Sequence, residues 1–365
     1  MGRCRICKKE SKLISNFLEV CIDCIRSKYQ KALFYIDMAH KKARESFGLP
    51  YLPPKNKYSK SCRICFNECQ ISNGDKSFCG IRTRKEGRLQ GGNAKEGNLS
   101  WYYDPLPTNC VADWVCPGGT GAGYPEFTYT KGPEYGYKNL AVFYHACSFD
   151  CLFCQNWHFR EIVYHQKKFV TYSELVDKVD EHTTCICYFG GDPTPQLPHA
   201  ILTSKKAVAK NKNKILRICW ETNGSMHPSL LKRMVEISLK SGGCIKFDIK
   251  AFSLEVHNAL CGVSNKRTLE NFSLAAGWIK ERPDPPLLIA STLLVPGYVD
   301  IIEVSQIAKF ICSLNPEIPY SLLAFHPQFY LKDLPFTSKE HAISCKEVAE
   351  KEGLKRVRIG NIHLL

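Results

Sequence analysis

No apolar run in this 365-residue chain approaches the roughly 20 residues that a membrane-spanning helix needs. The opening MGRCRICKKE also lacks the apolar core of a signal peptide. These absences exclude a helical channel or transporter and lead us to expect a cytoplasmic protein with no membrane partner. Acidic residues are scarce early in the chain. Residues 1–60 hold 14 Lys or Arg against 5 Asp or Glu, so +9 of the formal +15 sits there. That imbalance implies an acidic partner, whether nucleic acid, protein or electron carrier, unless it is simply a solvated basic surface.

A fourth cysteine is missing where a metal site would want one. HACSFDCLFCQNWH (145–158) places Cys147, Cys151 and Cys154 in a C-x3-C-x2-C pattern. A closed zinc site takes four ligands, and an iron–sulfur cube has four irons to ligate. Three thiolates would leave one iron free to bind something else.

Cysteine itself is abundant, with 20 in the chain. Disulfides would suit a small secreted protein, but tight spacing in a cytoplasmic context argues for metal. Thirteen cysteines fall in residues 1–154, mostly clustered, and seven are scattered beyond.

Three parts follow from these patterns: 1–50, 51–138 and 139–365. In the first, Cys4, Cys7, Cys21 and Cys24 form two C-x2-C knuckles with zinc-ribbon spacing. The pattern then predicts an amphipathic helix with Ile25, Tyr29, Ala32, Leu33, Ile36 and Ala39 on one stripe. Lys28, Lys31, Lys41, Lys42 and Arg44 fall on its other faces, and GLPYLPPKNK (48–57) reads as a linker.

The second part opens with Cys62, Cys65, Cys69 and Cys79, enough ligands for zinc or for an auxiliary cluster. Cys110 and Cys116 are replacement ligands or plain thiols. PGGTGAGYP (117–125) resembles a phosphate loop only superficially and reads as a flexible loop over a site.

The third part alternates strand-like and helix-like segments. Apolar runs at 139–146, 185–190, 215–221, 244–250, 287–295, 320–326 and 356–361 are separated by helical patterns. Capping boxes are read at Thr171–Glu174 and Thr337–Glu340, and a helix begins at Pro228 with Leu230, Met234 and Ile237 on one face. Repeated βα units predict a parallel sheet curled into a full or partial barrel, with function at the C-terminal strand ends. The polar groups obey that rule: the three-cysteine loop, GGDPTP (190–195), Glu221–Gly224, Asp248 with Lys250, VPG (295–297) and His326 each end a predicted strand. The remaining cysteines (185, 187, 219, 244, 261, 312 and 345) read as small buried hydrophobes.

CSFDCLFCQN resembles the cluster-binding loop of the radical S-adenosylmethionine (SAM) superfamily. The resemblance implies an α/β fold, a partial (β/α) barrel, preceded here by small cysteine-rich metal-binding modules. It also implies a [4Fe–4S] cluster on Cys147, Cys151 and Cys154, whose fourth iron takes the amino and carboxylate groups of SAM. GGDPTP is similar to the family's GGE motif, with Gly190, Gly191 and Asp192 beside the SAM amino group.

Residues 221–224, 248–250, 295–297 and 326 further resemble segments of pyruvate formate-lyase activating enzymes and their uncharacterised relatives. That likeness implies that Lys250 contacts the methionyl carboxylate and that Asp248 acts through a cation or hydrogen bond. It gives Glu221 and Asn223 to the ribose or to that cation, and sets His326 beside the nucleoside. The Cys62–Cys79 set, ending CGIR, is similar to the leader of those relatives. Residues 1–50 have no counterpart in the basic activating enzyme. They are expected to recognise a partner and to take no part in the chemistry.

The implied activity is an anaerobic oxidoreductase that cleaves SAM to a 5′-deoxyadenosyl radical and acts on a protein, by glycyl-radical activation or residue modification. Flavodoxin or ferredoxin would supply the electron. An RNA-modifying enzyme or a non-catalytic metal scaffold are the alternatives. No D-x-H-x-x-G stretch supports cobalamin-dependent methyl transfer, and the end at GNIHLL leaves no C-terminal auxiliary-cluster domain to expect.

Overall fold

The computed structural model describes the backbone of residues 1–108, 110–165 and 169–365. Eight strands form one sheet whose order follows the chain: β1 (Leu99–Pro105), β2 (Lys138–Tyr144), β3 (Thr183–Gly190), β4 (Arg217–Thr222), β5 (Ile245–Asp248), β6 (Leu288–Leu294), β7 (Tyr320–Ala324) and β8 (Val357–Gly360). β2 to β8 run parallel, while β1 pairs antiparallel with β2 at one edge. Helices return the chain between successive parallel strands, such as Leu197–Lys210, Pro228–Ser241 and Ile301–Leu314. The curled sheet is a partial (β/α) barrel.

The middle strands are buried along most of their length because helices cover their outer face and the barrel lumen lies on the inner one. All seven expected strands are present. β1 was not foreseen; its LSWYYDP runs three aromatics together without a period-two pattern, at a half-exposed edge. It also moves the start of the sheet to Leu99, into the segment expected to be a separate leader.

Two local expectations are corrected. The capping box at Thr171–Glu174 is formed, but the helix Lys339–Lys351 is capped by Ser338, which accepts from His341 N. Thr337 is buried instead, where its hydroxyl donates to Leu294 O and accepts from Phe325 N. The glycine-rich segment after Cys116 is a loop only from Gly121 on. It forms a short helix, Pro117–Thr120, whose tight approach requires Gly119: a Cβ there would lie 1.8 Å from Asp113 O.

Residues 1–50 fold against the barrel. A ribbon pairs Gly2–Arg3 with Glu10–Ser11, followed by helices α1 (Ile22–Ser27) and α2 (Tyr29–Glu45). Arg26 on α1 makes a two-pronged contact with Asp300 at 2.7 and 2.8 Å and reaches the buried Glu303 at 3.0 Å. The Tyr298 hydroxyl accepts from Ser15 N and donates to Val20 O, both across the junction. Gly297 of the VPG turn has φ +79°, and a Cβ there would lie 2.1 Å from Leu13 O. The turn after β6 is therefore shaped to receive this module.

The expected stripe on α2 is partly right. Ala32, Ile36 and Ala39 are buried, Leu33 is half-buried, and Lys28, Lys31, Lys41 and Lys42 are exposed. Arg44 was expected among the outward lysines but is only 2% exposed. Its guanidinium stacks on Phe78 at 3.5 Å and donates to Pro50 O. Among the described residues no helix is long and apolar enough to cross a membrane.

Candidate functional site

At the C-terminal ends of the strands lies a cavity of about 200 Å³. Cys147, Cys151, Cys154, Asp192, Asp248 and Lys250 are among its lining residues, which include no other cysteine. The loop after β2 brings the three thiols, the turn after β3 brings Asp192, and β5 brings Asp248 and Lys250. Burial pushes all three thiols upward, Cys154 to about 11; for Cys151 the neighbouring Cys261 thiol, 3.5 Å away, is the larger cause. Lys250 and Arg160, in the same cavity lining, oppose that rise at Cys151 and Cys154, and binding of a metal would displace the thiol protons.

Gly190 and Gly191 let the chain turn close over β2. Gly190 has φ +119°, and a Cβ on it would sit 2.5 Å from Tyr144 N. Asp192 is buried and faces inward. Its carboxylate accepts from Thr194 N at 2.7 Å, Asn223 N at 2.6 Å and the Thr222 hydroxyl at 3.2 Å. Burial raises its pKa to about 6 despite those bonds. Asp192 therefore ties the end of β3 to the end of β4 and leaves the backbone of that turn on the cavity side.

Lys250 Nζ lies 2.7 Å from Asp248 Oδ2, while Ser291 Oγ holds the other carboxylate oxygen at 2.6 Å. The Asn223 amide donates to Ser148 Oγ at 2.9 Å and lies 3.7 Å from Cys147 Sγ, so it braces the three-cysteine loop. Glu221 lines the cavity but turns its Oε1 to Lys246 Nζ, 2.7 Å away in the lumen. His326 follows β7 outside the cavity lining; its ring meets Phe336 edge-on at 5.0 Å, and its buried Nδ1 has no hydrogen-bond partner.

The pattern of the sequence did not reveal what holds the three-cysteine loop from behind. Asp150, between Cys147 and Cys151, is buried against His40 and Arg44 of α2 and Arg160 of the following helix. Burial alone would push its carboxyl up, but Arg160, His40 and Arg44 together hold it well below the usual carboxylate range. The second cysteine segment reaches the same loop: Asn67 Nδ2 donates to Ser148 O at 2.9 Å, and Phe66 N to Ser225 O at 3.0 Å.

The other cysteine sets differ from one another. Cys4, Cys7, Cys21 and Cys24 bring their sulfurs within 4.8 Å of one another, and Cys7 and Cys21 are 3.6 Å apart. Zn–S bonds of about 2.3 Å in a tetrahedron put sulfurs just under 4 Å apart, so these four can close around one ion. Among the described residues no other such group occurs. Cys62, Cys65, Cys69 and Cys79 do not form such a group in this structure. Cys147, Cys151 and Cys154 are likewise too spread for one ion, as thiolates on separate irons of a cube would be.

Comparison with known proteins agrees with this geometry. The model of the radical SAM superfamily matches residues 141–300. An uncharacterised protein of Methanocaldococcus jannaschii is 27% identical over 82% of this chain and 81% of its own length. The isethionate sulfite-lyase activating enzyme of Desulfovibrio desulfuricans is 34% identical over 38% of this chain and 40% of that enzyme. The pyruvate formate-lyase 1-activating enzyme of Escherichia coli K12 is 24% identical over 60% of this chain and 85% of that enzyme. The matched span begins in β2 and runs through the turn after β6, taking in the three-cysteine loop, Asp192, Asp248 and Lys250. Over residues 141–300, the part of the barrel that holds the cavity, this chain is similar to the radical SAM superfamily.

Proposed function

We propose that this protein reductively cleaves SAM at a [4Fe–4S] cluster held by Cys147, Cys151 and Cys154, and directs the resulting 5′-deoxyadenosyl radical at a protein or peptide. One observation carries the reading: three thiols, and no fourth, line a single cavity with Asp192, Asp248 and Lys250. When bound, the cluster supplies one electron to the sulfonium of SAM, whose cleavage yields the radical that takes a hydrogen atom from the substrate.

The chain's own residues bind, orient and exclude water. Lys250 presents a fixed cation to the methionyl carboxylate, and Asp248, held by Ser291, fixes its position. Backbone oxygens of the 190–192 turn accept from the methionyl ammonium, with Asp192 securing that turn from behind. Phe149, Phe153 and Phe159 line the same cavity and keep water from the reacting atoms.

The substrate class rests on relatives named for activating other enzymes. The exposed lysines of α2 suit an acidic protein such as a flavodoxin or ferredoxin donor. Zinc fills the N-terminal site in this reading. Anaerobic reconstitution followed by incubation with SAM and dithionite tests the proposal. Methionine and 5′-deoxyadenosine in equal amounts support it; intact SAM at full cluster occupancy contradicts it.

A further inference from the structure

The lumen below the SAM cavity is unusual in composition. A second cavity, of about 110 Å³, shares Glu221 with the first and reaches down the inner face of the sheet. Six of its sixteen lining residues are cysteines, where the chain-wide frequency of 20 in 365 would place about one. Inward positions of such barrels are ordinarily filled by branched aliphatic side chains.

The thiols occupy two facing walls. Cys187 and Cys219 are direct register partners on β3 and β4, and Cys244 sits beside Cys219 at the start of β5, its N–H 3.5 Å from Cys219 Sγ. Three adjacent parallel strands therefore present a row of sulfurs to the lumen at one level. The segment between β1 and β2 crosses the opposite side and brings Cys110 and Cys116. It is fixed there by Trp114 Nε1 donating to Ser321 Oγ at 3.1 Å and by the Asp113–Arg358 ion pair.

The buried cations of the lumen, Lys246 paired with Glu221 and Arg217 paired with Glu134, also donate to sulfur. Lys246 Nζ, on a residue 3% exposed, lies 2.9 Å from Cys110 Sγ and 3.3 Å from Cys187 Sγ. One level below, Arg217 Nε lies 3.1 Å from Cys185 Sγ. Buried cations that donate N–H to sulfur are what anionic metal-bound thiolates require, and such bonds are one of the levers on a cluster's potential.

We propose that this lumen is a second iron–sulfur site, with thiolate ligands drawn from Cys187, Cys219 and Cys244 on the sheet and Cys110 and Cys116 on the facing segment. Single-ion chemistry does not fit, because no three of these thiols come within 4.8 Å of one another as the N-terminal four do. The three thiols at the barrel mouth share that wider spacing. On assembly from iron and sulfide each ligating thiol releases its proton and gains an iron–sulfur bond. Ligation also removes S–H bonds, which are weaker than the 5′ C–H of deoxyadenosine and would otherwise return hydrogen to a radical formed above them. That last point rests on the proposed function; the cage of thiols does not.

The test uses the full-length chain carrying Cys147→Ala, Cys151→Ala and Cys154→Ala, reconstituted anaerobically with iron and sulfide. Its iron, its acid-labile sulfide and the electron paramagnetic resonance of the dithionite-reduced protein are read. The same readings are made after adding Cys187→Ser and Cys219→Ser, or in parallel Cys62→Ala and Cys69→Ala. The lumen pair should remove about two to four irons per chain and their signal. The Cys62 and Cys69 pair should leave that signal in place. No retained iron in the triple variant, or iron and signal indifferent to the lumen pair, overturns the proposal. If the lumen pair does not fold by circular dichroism, Lys246→Met in the triple variant decides. It leaves every thiol in place, yet removal of the cation and its N–H bonds to sulfur should lower the midpoint potential of the retained signal. An unchanged potential would overturn the site.

Discussion

His40 Nδ1 on α2 stands 2.7 Å from Asp150 Oδ2 in the middle of the three-cysteine loop, with both side chains buried. The other ring nitrogen meets Ala259 O at 3.1 Å, and Arg44, one helical turn further, closes on the same carboxylate. A module expected to recognise a partner and take no part in the chemistry is thus packed behind the loop that carries the thiols. Its exposed lysines remain free for a partner, but its inner face belongs to the barrel.

The first prediction concerns that contact. His40→Ala and Arg44→Leu together should leave Asp150 with Arg160 alone and destabilise the chain by about 3–5 kcal/mol, the cost of breaking a buried charge network. Iron retained by the loop after reconstitution should fall with it. Deleting residues 1–50 should therefore abolish SAM cleavage even with dithionite as reductant. Full cleavage by the truncated chain would show that the loop holds its shape unaided.

Metal removal gives the second prediction. One zinc per chain should be found at Cys4, Cys7, Cys21 and Cys24, and Cys4→Ser should release it. Because α1 is N-capped by the third ligand, contains the fourth and leads directly into α2, loss of zinc should loosen His40 and Arg44 and reduce iron in the barrel. Zinc-free protein with unchanged iron and melting temperature would separate the two sites.

The third prediction is a pH dependence. Glu134 and Arg217 form an ion pair that is fully buried beneath the lumen. Burial by itself would raise the Glu134 carboxyl, but the guanidinium holds it below its ordinary value. A depressed carboxylate contributes stability that is complete above its unfolded pKa of about 4.3 and is lost as pH falls through the lower folded value. Glu134→Gln should cost about 3–5 kcal/mol near neutral pH and weaken the dependence of stability on pH below about 4.3. Denaturant melts at several pH values will show whether the two chains converge in acid, as the pairing requires.

Lys250 supplies the fourth. Lys250→Ala removes one cation from the cavity and leaves Asp248 bonded to Ser291. A charge-assisted hydrogen bond is worth about 1.5–3 kcal/mol, so the Kd for SAM should rise at least about tenfold while the melting temperature changes little. Equal affinities would assign Lys250 to packing.

What could be read from the sequence was whatever is encoded locally. The C-x3-C-x2-C loop, the knuckles at Cys4–Cys24 and the seven parallel strands each depend on spacing within a short window. Arg44 was misplaced because its helical position matches the lysines around it; Pro50, Phe78 and Asp150, the last more than a hundred residues away, draw it inward. The lumen was hidden for the same reason. Cys187, Cys219 and Cys244 each look like an ordinary thiol in an apolar strand, and only the parallel register sets them side by side. Glu221 had a legible position at a strand end but not a legible direction, since its partner Lys246 lies on the neighbouring strand.

The measurement that bears most directly on the account is 5′-deoxyadenosine formation by the full-length chain in which Cys147, Cys151 and Cys154 are all replaced by Ala. With dithionite and SAM under anaerobic conditions, the unsubstituted chain should form the nucleoside and the triple variant none, although zinc and fold are retained. Nucleoside formation by the triple variant at the rate of the unsubstituted chain would contradict the assignment of those three thiols.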